Sequence, residues 1–143
     1  MAETHEIRLE QRVAAPPARV WEALIRPGLW LNDRVTLEPR IGGQFFEPRN
    51  DGVVEHRTFG TISQMEPPHL LSMSWEDEDW DFETEVAFSI IADSEGSLIT
   101  LRHTGWQGAP EAERAQLIDD HRSGWTRHLR ALAASAESMI SKD

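Results

Sequence analysis

The chain opens with alternating apolar and polar residues over Ile7–Val13. Most odd positions in this segment are apolar and the even positions are charged, and a period of two predicts a strand with one buried face. Prolines 16 and 17 end the strand, and proline fits the first turn of a helix. Apolar residues then recur at helical spacing, which predicts a short helix through Ile25 and a second helical turn over residues 29–31.

Residues 35–104 have a different pattern, in which short apolar runs alternate with turn residues. The runs are rich in Val, Ile, Phe, Thr and Trp, and the turns in Gly, Pro, Asn and Asp. This pattern predicts about six antiparallel strands. The most regular strand is predicted over residues 80–91, where Trp80, Phe82 and Phe88 share one face. Residues 98–104 form its partner, and a hairpin turn is expected at Ser94-Glu95-Gly96.

The last third of the chain predicts one long helix, Glu111–Ile140. Pro110 precedes it, and Glu111 and Glu113 suit the positive end of the helix dipole. Such a helix is about 45 Å long at 1.5 Å per residue, so the sheet must wrap around it. A strongly twisted sheet does not follow a straight helix closely along its whole length. We therefore expect a cavity between the concave face of the sheet and this helix.

Length and composition indicate a single domain over residues 1–143, with a core of about 7–140. The chain is 39% apolar and 27% charged, and it has no cysteine, which excludes disulfides and thiolate zinc sites. Its net charge of −11 argues against a nucleic-acid partner. The charged start lacks the apolar segment of a signal peptide, and no run approaches the ~20 apolar residues of a membrane span. We expect a cytoplasmic protein without a membrane span.

Aromatic residues are the unusual feature of the composition, with six Trp, five Phe and no Tyr. By periodicity, several of them face the interior of the predicted fold. They can simply fill the core, or some can line a pocket in which tryptophan N–H groups orient a flat or apolar ligand. Gly124 is also unusual, because a glycine inside a helix costs about 1 kcal/mol relative to alanine. Either a strand or ring approaches the helix closely there, or the cost is tolerated.

The polar residues give weaker signals. The six histidines lack the spacing of a metal site, and we found no nucleotide-binding or serine-nucleophile motif, so neither a metal nor a cofactor is expected. His103 lies on an apolar strand face, where it is either a hydrogen-bonded core residue or a polar anchor in a cavity. The acidic run at residues 76–79 fits a solvated turn, or a charged patch for a basic partner.

The order of these signals resembles the SRPBCC (START-like, helix-grip) superfamily, and more narrowly the branch homologous to the activator of the heat-shock-protein-90 ATPase. No single segment is specific, but the order and spacing are, over about residues 7–140. The matching segments are Val13-Ala14-Ala15-Pro16, Val20-Trp21-Glu22-Ala23-Leu24, Gly42-Gly43-Gln44-Phe45, Gly60-Thr61-Ile62, Glu66-Pro67-Pro68, Leu71 to Trp75, Gly96-Ser97, His103-Thr104-Gly105 and Gly124-Trp125 followed by Leu129 and Leu132.

The resemblance implies an α+β helix-grip fold, in which a curved antiparallel sheet of six to seven strands wraps around the C-terminal helix. Members of the superfamily bind lipids, sterols, hormones or polyketides, and some are cyclases or hydratases. We therefore expect a protein that binds a hydrophobic or aromatic small molecule in the cavity. The predicted cavity residues are Trp30, Phe45, Met73, Trp75, Phe82, Phe88, His103, Trp125 and Leu129.

Two alternatives remain open from the sequence. The first is a cyclase- or hydratase-type enzyme that uses His103, Glu47 or Arg102 as acid–base groups in the same cavity. The second is a co-chaperone that stimulates a heat-shock ATPase through its surface, with residues 76–79 supplying charge complementarity.

Overall fold

The computed structural model describes residues 5–50 and 55–140, except for the side chains of residues 49, 50 and 140. Two of its elements have the predicted bounds, the first strand and the last helix. The strands are β1 Ile7–Val13, β2 Thr36–Leu37, β3 Gln44–Asn50, β4 Glu55–Glu66, β5 Leu70–Asp77, β6 Thr84–Asp93 and β7 Gly96–Thr104. The α-helices are α1 Pro17–Leu24 and α2 Glu111–Ile140, and two short 3-10 helices cover Pro27–Leu29 and Trp106–Gly108.

In the described part of the chain, the strands form one antiparallel sheet in the order β1-β7-β6-β5-β4-β3-β2. The N-terminal strand β1 therefore pairs with β7, and Ile7 lies opposite His103. The predicted hairpin turn is confirmed, because Asp93 pairs with Gly96 between β6 and β7. Gly96 has a φ of +147°, and a Cβ there would meet the backbone of Val13, so this turn requires glycine. The architecture is α+β, as predicted.

One face of the sheet and one side of α2 form the core. The centre of this core consists of apolar side chains from β1, β5, β6 and β7, which are less than a tenth exposed. The helix backbone comes closest to β1 and α1. Two hydrogen bonds hold the C-terminal end of α2 in place. The Ala14 N–H donates to Oε2 of Glu137, and the Ser135 hydroxyl donates to the Leu29 carbonyl.

Two predicted elements differ from the structure. The strand predicted over residues 80–91 begins only at Thr84, because Trp80 and Phe82 stack on each other instead of extending it. Their ring centroids are 4.5 Å apart, and Trp80 also packs edge-on against Trp106. The second helical turn, predicted over residues 29–31, is a 3-10 helix two residues earlier, Pro27–Leu29.

Candidate functional site

A pocket of about 500 Å³ opens between α2 and the part of the sheet formed by β3, β4 and β5. This volume is in the range of small-molecule sites in proteins, roughly 300–1,000 Å³. Its walls combine aromatic, acidic and histidine side chains. The lining residues are Leu31, Asn32, Glu47, His56, Trp75, Asp77, Leu117, Asp120, His121, Gly124, Trp125, Arg127 and His128.

The pocket forms where the helix and the sheet diverge. The helix packs against β1 and α1, whereas β3, β4 and β5 lie toward the other edge of the twisted sheet. Gly124 lines the pocket from the helix side. A Cβ placed there would have Arg127 Nη2, at 3.9 Å, as its nearest neighbour. Close approach of a strand or ring therefore does not explain this glycine, and its missing side chain leaves space in the pocket.

Two indole rings form the buried side of the pocket. Trp75 comes from β5 and Trp125 from α2, and each is at most 3% exposed. Their ring centroids are 5.0 Å apart, so they join the sheet to the helix. Phe45 packs behind Trp75 at 5.3 Å, and Phe88 packs edge-on against Trp125 at 5.7 Å. The indoles are fixed on a packed aromatic layer, which gives the pocket a rigid apolar surface.

His103 lies behind this surface and is fully buried. The Trp125 indole N–H donates to its Nδ1 at 3.0 Å, so Nδ1 carries no proton. Its Nε2 is 2.7 Å from the Thr84 hydroxyl, which itself donates to the Trp75 carbonyl. Nε2 therefore donates to Thr84, and the ring is neutral. Burial, with a smaller contribution from His121, holds the pKa of His103 well below its ordinary value of 6.5.

His121 makes a second tryptophan–histidine pair, this time on the pocket wall. The Trp75 indole N–H donates to its Nε2 at 3.3 Å, and its Nδ1 donates to the Leu117 carbonyl at 2.9 Å. These two bonds require a neutral ring with its proton on Nδ1. The N–H groups of Trp75 and Trp125 thus bond within the protein, and in this arrangement they do not orient a ligand as one of the two alternatives from the sequence would have them do. What these indoles present to a ligand is the small part of the ring surface that lines the pocket.

Three carboxylates from different elements line the same pocket. Glu47 on β3 is only 3% exposed, and Asn32 Nδ2 lies 3.3 Å from its Oε2. Asp77 at the end of β5 accepts a 2.6 Å bond from the Thr58 hydroxyl. Asp120 on α2 accepts a 2.8 Å bond from Gln116. The pocket is therefore amphipathic, with indoles inside and charged groups around them.

The structure brings only two of the nine predicted cavity residues, Trp75 and Trp125, to the pocket wall. Phe82 is half-buried against Trp80, and the other predicted residues are buried in the core beside or behind the indoles. These core residues are Trp30, Phe45, Met73, Phe88, His103 and Leu129. Whether any of the nine contacts a ligand remains a prediction.

Sequence reasoning missed most of the polar wall, although a signal for part of it was present. His121, Trp125 and His128 follow at i, i+4 and i+7, the spacing of one helix face. Of the proposed acid–base groups, Glu47 lines the pocket, whereas His103 is sealed in the core. Arg102 is exposed outside the core and pairs with Glu6 at 2.6 Å.

The acidic run at residues 76–79 divides between the pocket and the surface. Asp77 lines the pocket, and Glu78 pairs with Arg57 at 3.3 Å. Glu78 and Asp79 are both exposed. Among the described residues, no three acidic or histidine side chains converge to hold a metal ion, and no helix is long and apolar enough to cross a membrane.

Solved structures with this fold cover nearly the whole chain. The Aha1 dimer from Colwellia psychrerythraea matches with a TM-score of 0.76 and 14% identity, over 92% of this chain and 96% of that one. CalU16 from Micromonospora echinospora matches with a TM-score of 0.69 and 26% identity, over 96% of this chain and 79% of that one. DynU16, from the dynemicin biosynthetic locus, matches with a TM-score of 0.75 and 24% identity, over 94% of this chain and 48% of its own length.

Sequence comparison identifies the family. Comparison with curated proteins gives no match. The sequence profile described as Activator of Hsp90 ATPase homolog 1-like protein, in contrast, matches residues 14–137, which is most of the chain. This match agrees with the helix-grip fold and with the order of sequence segments that first suggested it. The chain belongs to the Activator of Hsp90 ATPase homolog 1-like family.

Proposed function

We propose that this protein binds a small molecule with a flat aromatic or apolar part in the pocket between α2 and the sheet. The observation that carries the proposal is the pair of buried indoles, Trp75 and Trp125, on one side of a pocket of about 500 Å³. Each Å² of apolar wall that a ligand removes from contact with water stabilises the complex by about 25 cal/mol. Aromatic rings add a preference for flat partners.

Gly124 supports the same proposal. It lowers helix stability by about 1 kcal/mol relative to alanine, yet no nearby backbone requires a glycine at this position. A residue that costs stability and keeps a pocket open is typical of a binding site. The fold relative DynU16 comes from a biosynthetic locus for dynemicin, which is consistent with a natural product as the ligand.

The test is calorimetric titration with 1-naphthylmethanol, a neutral aromatic probe, together with native mass spectrometry of the protein as expressed. We expect saturable binding or a co-purified molecule, and loss of the binding in Gly124→Leu, whose side chain fills the pocket. Ser123→Leu is the matched control, because Ser123 is exposed on the same helix. No binding by either method, or equal binding by Gly124→Leu, would overturn the proposal.

Catalysis on the bound molecule is the first alternative use of this pocket. Glu47, Asp77 and the histidines in the wall could supply acid–base groups, whereas His103 is sealed from the pocket. The same mass-spectrometric experiment distinguishes catalysis from binding. A co-purified molecule whose mass changes on incubation with the wild-type protein, but not with Glu47→Gln, would indicate an enzyme.

A co-chaperone role is the second alternative, because the family is described by activation of the Hsp90 ATPase. Glu78 and Asp79 are exposed and could meet a basic surface of the chaperone. Stimulation of a purified Hsp90-type ATPase, reduced in a Glu78→Gln/Asp79→Asn variant, would support this role. The absence of stimulation by the wild-type protein would remove it.

A further inference from the structure

His103 is a polar side chain enclosed in the core behind the pocket. Removing a polar group from water costs free energy, and an apolar side chain could fill the same space without that cost. What an imidazole adds is direction, because its two nitrogens form bonds along fixed lines. We propose that His103 is a positioning residue that holds the two indoles of the pocket wall, Trp75 and Trp125, in the arrangement that a ligand contacts. This inference rests on the proposed function, because it assumes that the pocket binds a ligand.

The bond to Trp125 is the direct part of this role. The Trp125 indole N–H donates to Nδ1 of His103 at 3.0 Å, and the two ring centroids are 6.2 Å apart in an edge-on arrangement. The outer torsion of a tryptophan side chain is broad, so a hydrogen bond at one edge restricts the ring orientation further than rotamer preference does. The bond directs the N–H edge into the core and thereby fixes which part of the ring meets the pocket.

A chain of three hydrogen bonds extends from Trp125 to Trp75. Nε2 of His103 donates to the Thr84 hydroxyl at 2.7 Å, and this hydroxyl donates to the Trp75 carbonyl at 2.7 Å. Trp75 and Thr84 also lie opposite each other in the pairing of β5 with β6. All three bonds run in the same direction, an arrangement in which each bond polarises the next. His103 on β7 therefore connects the helix wall of the pocket with the strand that carries Trp75.

The His103 side chain is itself held in place. Its ring centroid lies 4.4 Å from that of Trp106, whose indole N–H donates to the His103 backbone carbonyl at 3.2 Å. From α2 it faces the titratable ring of His121 at 5.4 Å, which is neutral in the hydrogen bonds that it makes. Burial lowers the pKa of His103 well below 6.5. Nδ1 therefore accepts the Trp125 N–H throughout the neutral pH range.

Fixed indoles favour binding because a ligand does not have to order them. Ordering one mobile side chain on binding raises the dissociation constant by roughly two- to tenfold. Loss of the bond to Trp125 should therefore weaken binding by about three- to tenfold. A residue that only fills the core would, in contrast, change the stability of the protein and leave its affinity unchanged.

The test titrates 1-naphthylmethanol into the wild-type protein and three variants by calorimetry. His103→Leu removes both ring nitrogens and should weaken binding by about three- to tenfold. His103→Asn places an oxygen close to the position of Nδ1, where it can accept the Trp125 N–H, and should restore most of the affinity. Ile99→Ala is the matched control, because Ile99 is fully buried on the same face of β7, about 13 Å along the strand at 3.3 Å per residue. It should lower stability without changing affinity.

Nuclear magnetic resonance supplies a signature that core filling alone would not give. Each indole N–H has its own proton–nitrogen correlation signal, and Trp125→Phe identifies the signal of Trp125. In His103→Leu this signal should move upfield in the proton dimension, because loss of a hydrogen bond reduces the deshielding of the proton. In His103→Asn and Ile99→Ala it should stay near its wild-type position.

Two further variants keep the test decisive if His103→Leu does not fold. Thr84→Val breaks the chain at the hydroxyl and should weaken probe binding, whereas Thr84→Ser keeps the hydroxyl and should not. If the wild-type protein carries a co-purified molecule and does not bind the probe, retention of that molecule by the variants is compared instead.

The outcomes separate the two proposals. Wild-type affinity in folded His103→Leu or Thr84→Val, or an unmoved Trp125 signal in His103→Leu, would overturn the positioning role and leave the proposed function standing. A wild-type protein that neither binds the probe nor carries a co-purified molecule would overturn both.

Discussion

At the scale of single residues, the protonation state of His103 is the clearest consequence of the structure. Both ring nitrogens are engaged, and a proton on Nδ1 would place a donor against the Trp125 N–H. The folded protein therefore resists protonation of this ring, and its pKa is held well below 6.5. The unfolded chain, in which the imidazole is hydrated, binds a proton more readily.

This difference predicts acid sensitivity. Because the pKa of His103 is lower in the folded state, its contribution to stability is complete above about pH 6.5 and is lost as the pH falls below that value toward the folded pKa. The loss is at most about 1.4 kcal/mol per pH unit. Urea unfolding measured over this pH range should show the decline, with a smaller slope in His103→Gln. Equal slopes in the two proteins would show that His103 does not cause it.

At the scale of elements, the sequence predicts the bounds of strands and helices accurately where the apolar pattern is regular and long-range contacts do not interrupt it. The bounds of β1 and α2 agree with the sequence prediction, because alternation and helical spacing are local properties of the chain. The start of β6 was predicted four residues too early, at Trp80 rather than Thr84. The inward alternation does continue there, but the aromatic stack of Trp80 on Phe82, together with Trp106 from a distant part of the chain, takes the place of strand pairing.

Helix α2 also allows a direct test of Gly124. Alanine at this position would meet no atom closer than the flexible end of Arg127. Gly124→Ala should therefore raise the free energy of unfolding by about 0.5–1 kcal/mol, the difference in helix propensity. Gly60→Ala is the contrasting variant, because its Cβ would clash with the Ser74 carbonyl oxygen, and it should destabilise the protein. Denaturant unfolding of both variants measures whether the free energy of unfolding rises or falls relative to the wild-type protein. A destabilised Gly124→Ala would reveal a close neighbour that the structure lacks.

At the scale of the whole molecule, the position of the pocket could not be predicted from local patterns. The sequence indicates an apolar layer, and Trp30, Phe45 and Phe88, which it predicts to line a cavity, are buried in that layer. Which part of the layer remains open depends on where the twisted sheet separates from α2, and this is a long-range property. The polar wall is supplied by separate elements that the fold brings together, so of the residues that line the pocket the sequence analysis placed only Trp75, Trp125 and Glu47 in a cavity.

The same geometry makes a prediction about cooperativity. Leu132 on α2 is fully buried, in the half of the helix that packs against β1 and α1. Leu132→Ala should cost about 2–5 kcal/mol, because it leaves a cavity in a packed core. Arg130→Ala, at an exposed position on the same helix, should change stability by no more than about 0.5 kcal/mol.

The way in which Leu132→Ala unfolds is more informative than its stability. The buried tryptophans report on the contact between sheet and helix, whereas far-ultraviolet circular dichroism reports largely on α2, the longest helix described. Since the helix and the sheet share one core, both signals should change at the same denaturant concentration in the wild-type protein and in Leu132→Ala. A helix signal that is lost before the tryptophan signal would mean that α2 can detach from the sheet. The pocket between them would then be a transient opening rather than a preformed site.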